Sequence, residues 1–137
     1  MNTAEWEITM AQIEAVSTPD APTALGAYSQ AVVANGLVFV SGQLGINPST
    51  GELAGASAQE QAEQALKNIA AILKQAGSSV DSIAKVTIYL SSVDDFKAVD
   101  SVYANFIGPV KPARVAFGGN VIPKPGALVE IEAIAAL

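Results

Sequence analysis

The sequence predicts an α+β domain in which two helices pack on one face of a mixed β-sheet. Three features carry that expectation. An Asn35-Gly36 pair sits between two β-forming runs, a capped amphipathic helix begins at Ser57, and an alternating strand over 83–90 separates that helix from a second one. The chain has 137 residues, half of them hydrophobic and 15% charged. That is one domain of ordinary size with enough apolar material for a real core. Residues 1–9 are expected to be a short N-terminal extension and 10–137 the domain itself.

Taken in order, the first strand is expected over 13–16. Residues 17–28 (STPDAPTALGAY) hold two prolines and a glycine and form a turn-rich loop. In 31–43 (AVVANGLVFVSGQ) the Asn-Gly pair suits a type I′ hairpin, whose two central positions both need positive φ. Residues 44–56 form a loop with turns at Pro48 and Gly51. Ser57 and Glu60 make a capping box, each satisfying an orphan backbone donor. Ala62, Ala65, Leu66, Ile69, Ile72, Leu73 and Ala76 then share one helical face until Gly77 closes the helix. Over 83–90 (IAKVTIYL), Val86, Ile88 and Leu90 lie on one side of a half-buried strand. The second helix is expected to start between Ser92 and Asp95, with acidic residues suited to a first turn, and to end at Gly108-Pro109. Two last strands, 114–117 and 127–135, flank a Pro/Gly turn at 122–126. Phe39, Phe96, Tyr103 and Phe106 fit the core.

Composition excludes much chemistry. The chain has no histidine, no cysteine and seven basic residues, six lysines and Arg114. It therefore has no cysteine nucleophile, no disulfide, no Cys/His zinc site and no histidine general base. A net charge of −6 makes an extended nucleic-acid surface a poor expectation. No apolar run reaches the length of a membrane span. The opening MNTAEWEITM lacks a basic n-region, so a cytoplasmic protein is expected. Low charge with a positive mean hydropathy points to apolar surface hidden against another subunit. The glycine spacings (Gly42-x-x-Gly45, Gly51-x-x-x-Gly55, Gly118-Gly119) lack the strand and helix context of a phosphate loop, so no nucleotide cofactor is expected.

Four groups remain as candidates. Arg114, in Lys-Pro-Ala-Arg at the start of a strand, can bind a carboxylate through two parallel hydrogen bonds, or it can be an ordinary ion-pair partner. Glu130 and Glu132, two apart on a strand, share a face and could raise each other's pKa as acid and base, or form a solvated face. Tyr28, Ser29 and Gln30 leave a loop for a strand and supply polar donors or turn chemistry. Ser41-Gly42-Gln43 ends a strand with a glycine that permits close approach, or marks a bulge.

Together these pieces resemble the RidA/YjgF family. The family's Gly-Pro-Tyr-Ser-Gln-Ala motif stands here as Gly26-Ala27-Tyr28-Ser29-Gln30-Ala31. Its Ser-Gly-Gln strand end is Ser41-Gly42-Gln43, followed by an Asn-Pro-x-Thr-Gly turn from Asn47 to Gly51. Its Pro-Ala-Arg signature is Pro112-Ala113-Arg114, and its closing strand runs over 129–133. The resemblance implies a chorismate-mutase-like homotrimer with three sites between subunits. It implies hydrolysis of reactive enamines and imines, such as 2-aminoacrylate and 2-iminobutanoate, to 2-oxo acids and ammonia, without metal or organic cofactor. By the family pattern Arg114 clamps the substrate carboxylate, Glu130 and Tyr28 hold or activate water, and Ser41 and Gly42 contact substrate. Alternatives are a non-catalytic sensor of small carboxylic metabolites and a ribonuclease or translation inhibitor. The chain departs from the pattern at Ala27, Val115, Ala116 and a shortened segment over 107–113.

Overall fold

The computed structural model describes residues 12–137. The expected extension, residues 1–9, lies outside that range. Six strands and two helices follow in the order β1 (Glu14–Val16), β2 (Ala31–Ala34), β3 (Leu37–Leu44), α1 (Ala58–Gln75), β4 (Ile83–Leu90), α2 (Phe96–Phe106), β5 (Ala113–Phe117) and β6 (Val129–Ala136). They make one sheet in the order β1-β2-β3-β6-β4-β5. The β4–β5 pair is parallel and the other pairings are antiparallel. The last two strands are therefore not a hairpin. β6 inserts between β3 and β4 at the centre of the sheet, while β5 takes the edge.

The local signals act where the sequence places them. Asn35 and Gly36 adopt φ of 55° and 78°, the left-handed pair a type I′ turn demands. Ser57 accepts from the Glu60 backbone N–H while the Glu60 side chain reaches back to the Ser57 N–H, so α1 starts with both donors satisfied. One boundary differs: Val93–Asp95 form a 3-10 turn capped by the Ser92 hydroxyl, and the α-helix begins at Phe96. The acidic residues thus sit before the helix rather than in its first turn.

Strand alternation divides the sheet into two unlike faces. Val38, Val40, Val86, Ile88, Leu90, Val129, Ile131, Ala133 and Ala135 are buried beneath the helices. α1 meets them with Ala62, Ala65, Leu66, Ile69, Ile72 and Leu73, and α2 with Val99 and Tyr103. The opposite face carries Phe39, Tyr89, Val115, Phe117, Glu130 and Glu132. The expectation that Phe39 joins the core is corrected here. It pairs in register with Ile134 on the uncovered face and stays 39% exposed, because the alternation that buries Val38 and Val40 turns it outward.

Three buried amide side chains tie the loops to this frame. Gln30 accepts from the Thr18 N–H and donates to the carbonyls of Thr18, Ala21 and Pro22. On α1, Gln61 donates to Gly55 and Gly126 and accepts from the Leu128 N–H at 2.8 Å. Asn68, two turns further along, donates to the carbonyls of Leu44 and Ile46. All three are at most 4% exposed. Buried polar groups persist when their partners are supplied, and here the partners are mostly backbone groups of irregular segments, with Leu44 at the very end of β3.

Candidate active site

The segments held by those amides surround a cleft of about 860 Å³. Pro22, Thr23, Leu25 and Tyr28 come from the loop anchored by Gln30. Ile46 and Pro48 come from the segment anchored by Asn68. Pro123 and Lys124 precede the strand anchored by Gln61. The floor is the end of β3 (Ser41, Gly42, Gln43, Leu44) beside Glu130 and Glu132 of β6.

A β-bulge shapes that floor. Val40 pairs with Ala133 and Gln43 with Ile131, so β3 spends one residue more than β6 over this stretch. Gly42 falls in the bulge directly over Glu130. A Cβ there would collide with the Glu130 carboxylate, so the glycine makes room for the acid rather than for a turn. Ser41 is drawn the other way: its hydroxyl donates to the Ser29 carbonyl at 2.6 Å and its N–H to the Gln30 carbonyl at 3.0 Å, which locks the bulge to the loop that carries Tyr28.

The two carboxylates share a face as expected, and the face is not simply solvated. Burial pushes the Glu130 carboxyl above the ordinary glutamate value, and the neighbouring Glu132 charge adds to the rise. Tyr89, in register with Glu130 on β4, donates its hydroxyl to Glu132 at 2.7 Å. That bond, with burial behind it, holds the Tyr89 phenol above its usual range. Tyr89, Asn120, Val121 and Ile122 line a smaller niche, about 300 Å³, which shares Gly42, Glu130 and Glu132 with the main cleft.

Arg114 is elsewhere. It pairs with Val86 across β4–β5 and so belongs to the helix-covered face, whereas Glu130 pairs with Tyr89 on the other. Its guanidinium forms an ion pair with Asp100 and lies 5.5 Å from the Phe96 ring centroid and 5.0 Å from that of Tyr103. One chain thus brings together Tyr28, Ser41, Gly42 and Glu130 and leaves Arg114 apart from them. Sequence reasoning assigned no role to Thr23, Lys124, Tyr89 or Asp100. The first three carry no signal beyond standing in a loop or strand. Asp100 carries one, as an acid at i+4 from Phe96 and three residues before Tyr103, within an apolar helical stripe.

The endoribonuclease L-PSP family model matches residues 18–137. The chain belongs to the RidA/YjgF family. A RidA/YjgF relative from rat, named 2-iminobutanoate/2-iminopropanoate deaminase, is 44% identical over 120 residues, 88% of this chain and 87% of its own length. A Yersinia pestis protein of the Rid family superposes with a TM-score of 0.88 at 42% identity, covering 92% of this chain and all of that one. Escherichia coli TdcF, solved with bound serine, superposes with a TM-score of 0.85 at 36% identity over 90% of this chain and 98% of its own. The architecture expected of a RidA/YjgF chain, a mixed sheet with two helices on one face, is the one observed.

Proposed function

We propose that this chain hydrolyses 2-imino acids of the 2-iminopropanoate and 2-iminobutanoate class, with their enamine tautomers, to 2-oxo acids and ammonia. The observation that carries this is the 44% identity, across most of both chains, to a rat protein named for that activity. The cleft chemistry fits the reaction. Water adds its oxygen to the imine carbon, the nitrogen takes up protons, the C–N bond breaks and ammonia leaves. A carboxyl whose pKa is raised, as at Glu130, stays protonated to higher pH than an ordinary glutamate, so it can deliver its proton to nitrogen and then take one from the added water. Tyr28 lines the same cleft, and the Gly42 bulge forms part of its floor and makes room for the Glu130 carboxylate. The negative surface and the absence of histidine weigh against phosphodiester cleavage.

The working site is completed between copies of the chain, in a homotrimer, with Arg114 of one copy clamping the carboxylate of an imine that lies against Glu130 of the next. Two features support this. Arg114 and Glu130 occupy opposite faces of one sheet. The face bearing Glu130 also leaves Phe39, Val115 and Phe117 39–45% exposed, the kind of apolar surface a subunit contact covers. The test is a coupled assay in which a threonine dehydratase supplies the imine and 2-oxobutanoate release is followed. Wild type should accelerate release, and Arg114→Ala should lose roughly 100-fold or more through the missing bidentate contact while keeping its oligomeric state. A fully active Arg114→Ala protein would refute the clamp.

A further inference from the structure

β5 is an edge strand, and it cannot by itself fix the far end of an arginine. Helix α2 does so. Phe96, Asp100 and Tyr103 follow at i, i+4 and i+7, which lines them up along one side of the helix, and the Arg114 guanidinium lies over that line. The helix is itself anchored, since Val99 and Tyr103 are in the core. The three contacts differ in what they determine. A ring face attracts a cation without choosing which of its edges points where. A carboxylate does choose, because its oxygen accepts from one particular N–H. Here Asp100 Oδ1 accepts from Nη1. A guanidinium carries five N–H donors, and Asp100 is the protein acceptor for Arg114 among the described residues, so the two nitrogens needed for a bidentate carboxylate are not consumed by the fold.

We infer that Asp100 is a positioning residue, which sets through Arg114 the orientation of the donors that receive the substrate carboxylate. The inference rests on the reading of Arg114 as the carboxylate clamp. The arginine side chain keeps 26% of its accessible surface, so it is restrained without being sealed. Asp100 also sets an acid beside an anion site. The hydrogen bond and the charge therefore act in opposite directions on affinity, and the two can be separated by substitution. Asn keeps an oxygen acceptor at the same reach and removes the charge, whereas Ala removes both.

The test measures binding of 2-oxobutanoate, the stable product, by titration calorimetry, and turnover at saturating imine in the coupled assay. It uses the full chain as wild type, Arg114→Ala, Asp100→Ala, Asp100→Asn and Asp100→Glu. Asp100→Ala should weaken 2-oxobutanoate binding roughly tenfold, with a smaller loss of maximal rate, because the clamp is used in ground and transition states alike. Asp100→Asn should bind as well as wild type or better. Asp100→Glu, which moves the acceptor by one methylene but keeps the charge, should weaken binding severalfold and decides the matter if the alanine variant fails to fold. Asp100→Ala or Asp100→Glu binding as wild type while Arg114→Ala has lost binding would overturn the role of Asp100 and leave the clamp intact. So would Asp100→Asn as weak as Asp100→Ala. An Arg114→Ala protein that binds as wild type would overturn both.

Discussion

Glu130 is where the chemistry and the environment of a single side chain meet. Its carboxyl titrates above the ordinary glutamate value because it is partly desolvated and faces Glu132. As the acid of the reaction it must be protonated, so kcat/KM should fall as pH rises through that elevated value. Glu132→Gln removes the like charge and should move this limb to lower pH, while Glu130→Gln should abolish it and cut the rate by about 10²–10⁴-fold. A pH–rate profile on the three proteins reads both effects. The same shift bears on stability. A folded state that raises a carboxyl pKa binds the proton more tightly than the unfolded chain does. That contribution is present below the unfolded value and is lost as pH rises through the folded one. Glu130→Gln should therefore flatten the fall of melting temperature as pH rises from the ordinary glutamate value through the raised one, as calorimetry across a pH series would show. Glu130 and Glu132 were legible from their spacing of two on a strand. Tyr89 was not, because its tie to Glu132 crosses between strands 43 residues apart in sequence.

At the level of elements, legibility follows range. The hairpin turn at Asn35-Gly36 and the Ser57 cap are decided within four residues, and both are where the sequence puts them. The placement of β6 between β3 and β4 is decided by pairings over tens of residues, and nothing local in Val129–Ala136 announces it. The amide anchors lie between these cases. Gln61 and Asn68 stand on the buried stripe of α1 among residues read from their period, yet a glutamine or asparagine on an apolar face reveals its worth only once the loops it bonds are in place. Gln61→Ala would leave the Gly55 and Gly126 carbonyls and the Leu128 N–H without partners, at a cost of about 2–4 kcal/mol measurable by urea unfolding. Activity should fall in step at temperatures well below the melting point, because the freed turn carries Pro123 and Lys124 into the cleft wall. The Gly42 bulge gives a second reading at this scale. Gly42→Ala must displace the Glu130 carboxylate, so the expected result is a folded protein with turnover reduced about tenfold or more.

The whole molecule poses a question that no single chain answers, namely which copy supplies which residue. If Arg114 and Glu130 act together across a subunit boundary, two inactive proteins can repair each other. Arg114→Ala and Glu130→Gln, unfolded together and refolded as mixed oligomers, would pair an intact arginine with an intact glutamate at about a quarter of the sites. The coupled assay should recover about that fraction of wild-type activity, and each variant refolded alone should stay at its own low residual rate. A mixture that stays inactive, with mixing confirmed by mass, would place both residues in one subunit's site.

The walls of the cleft are pinned by primary amides, from Gln30, Gln61 and Asn68, rather than by ion pairs. An amide offers donor and acceptor together and has no proton to gain or lose across the physiological range. The bonds that hold these walls therefore neither gain nor lose a proton as Glu130 titrates beside Glu132. A change in rate as pH passes through the raised Glu130 value then reports proton transfer at the reacting imine and not a loss of the amide bonds that hold the loops.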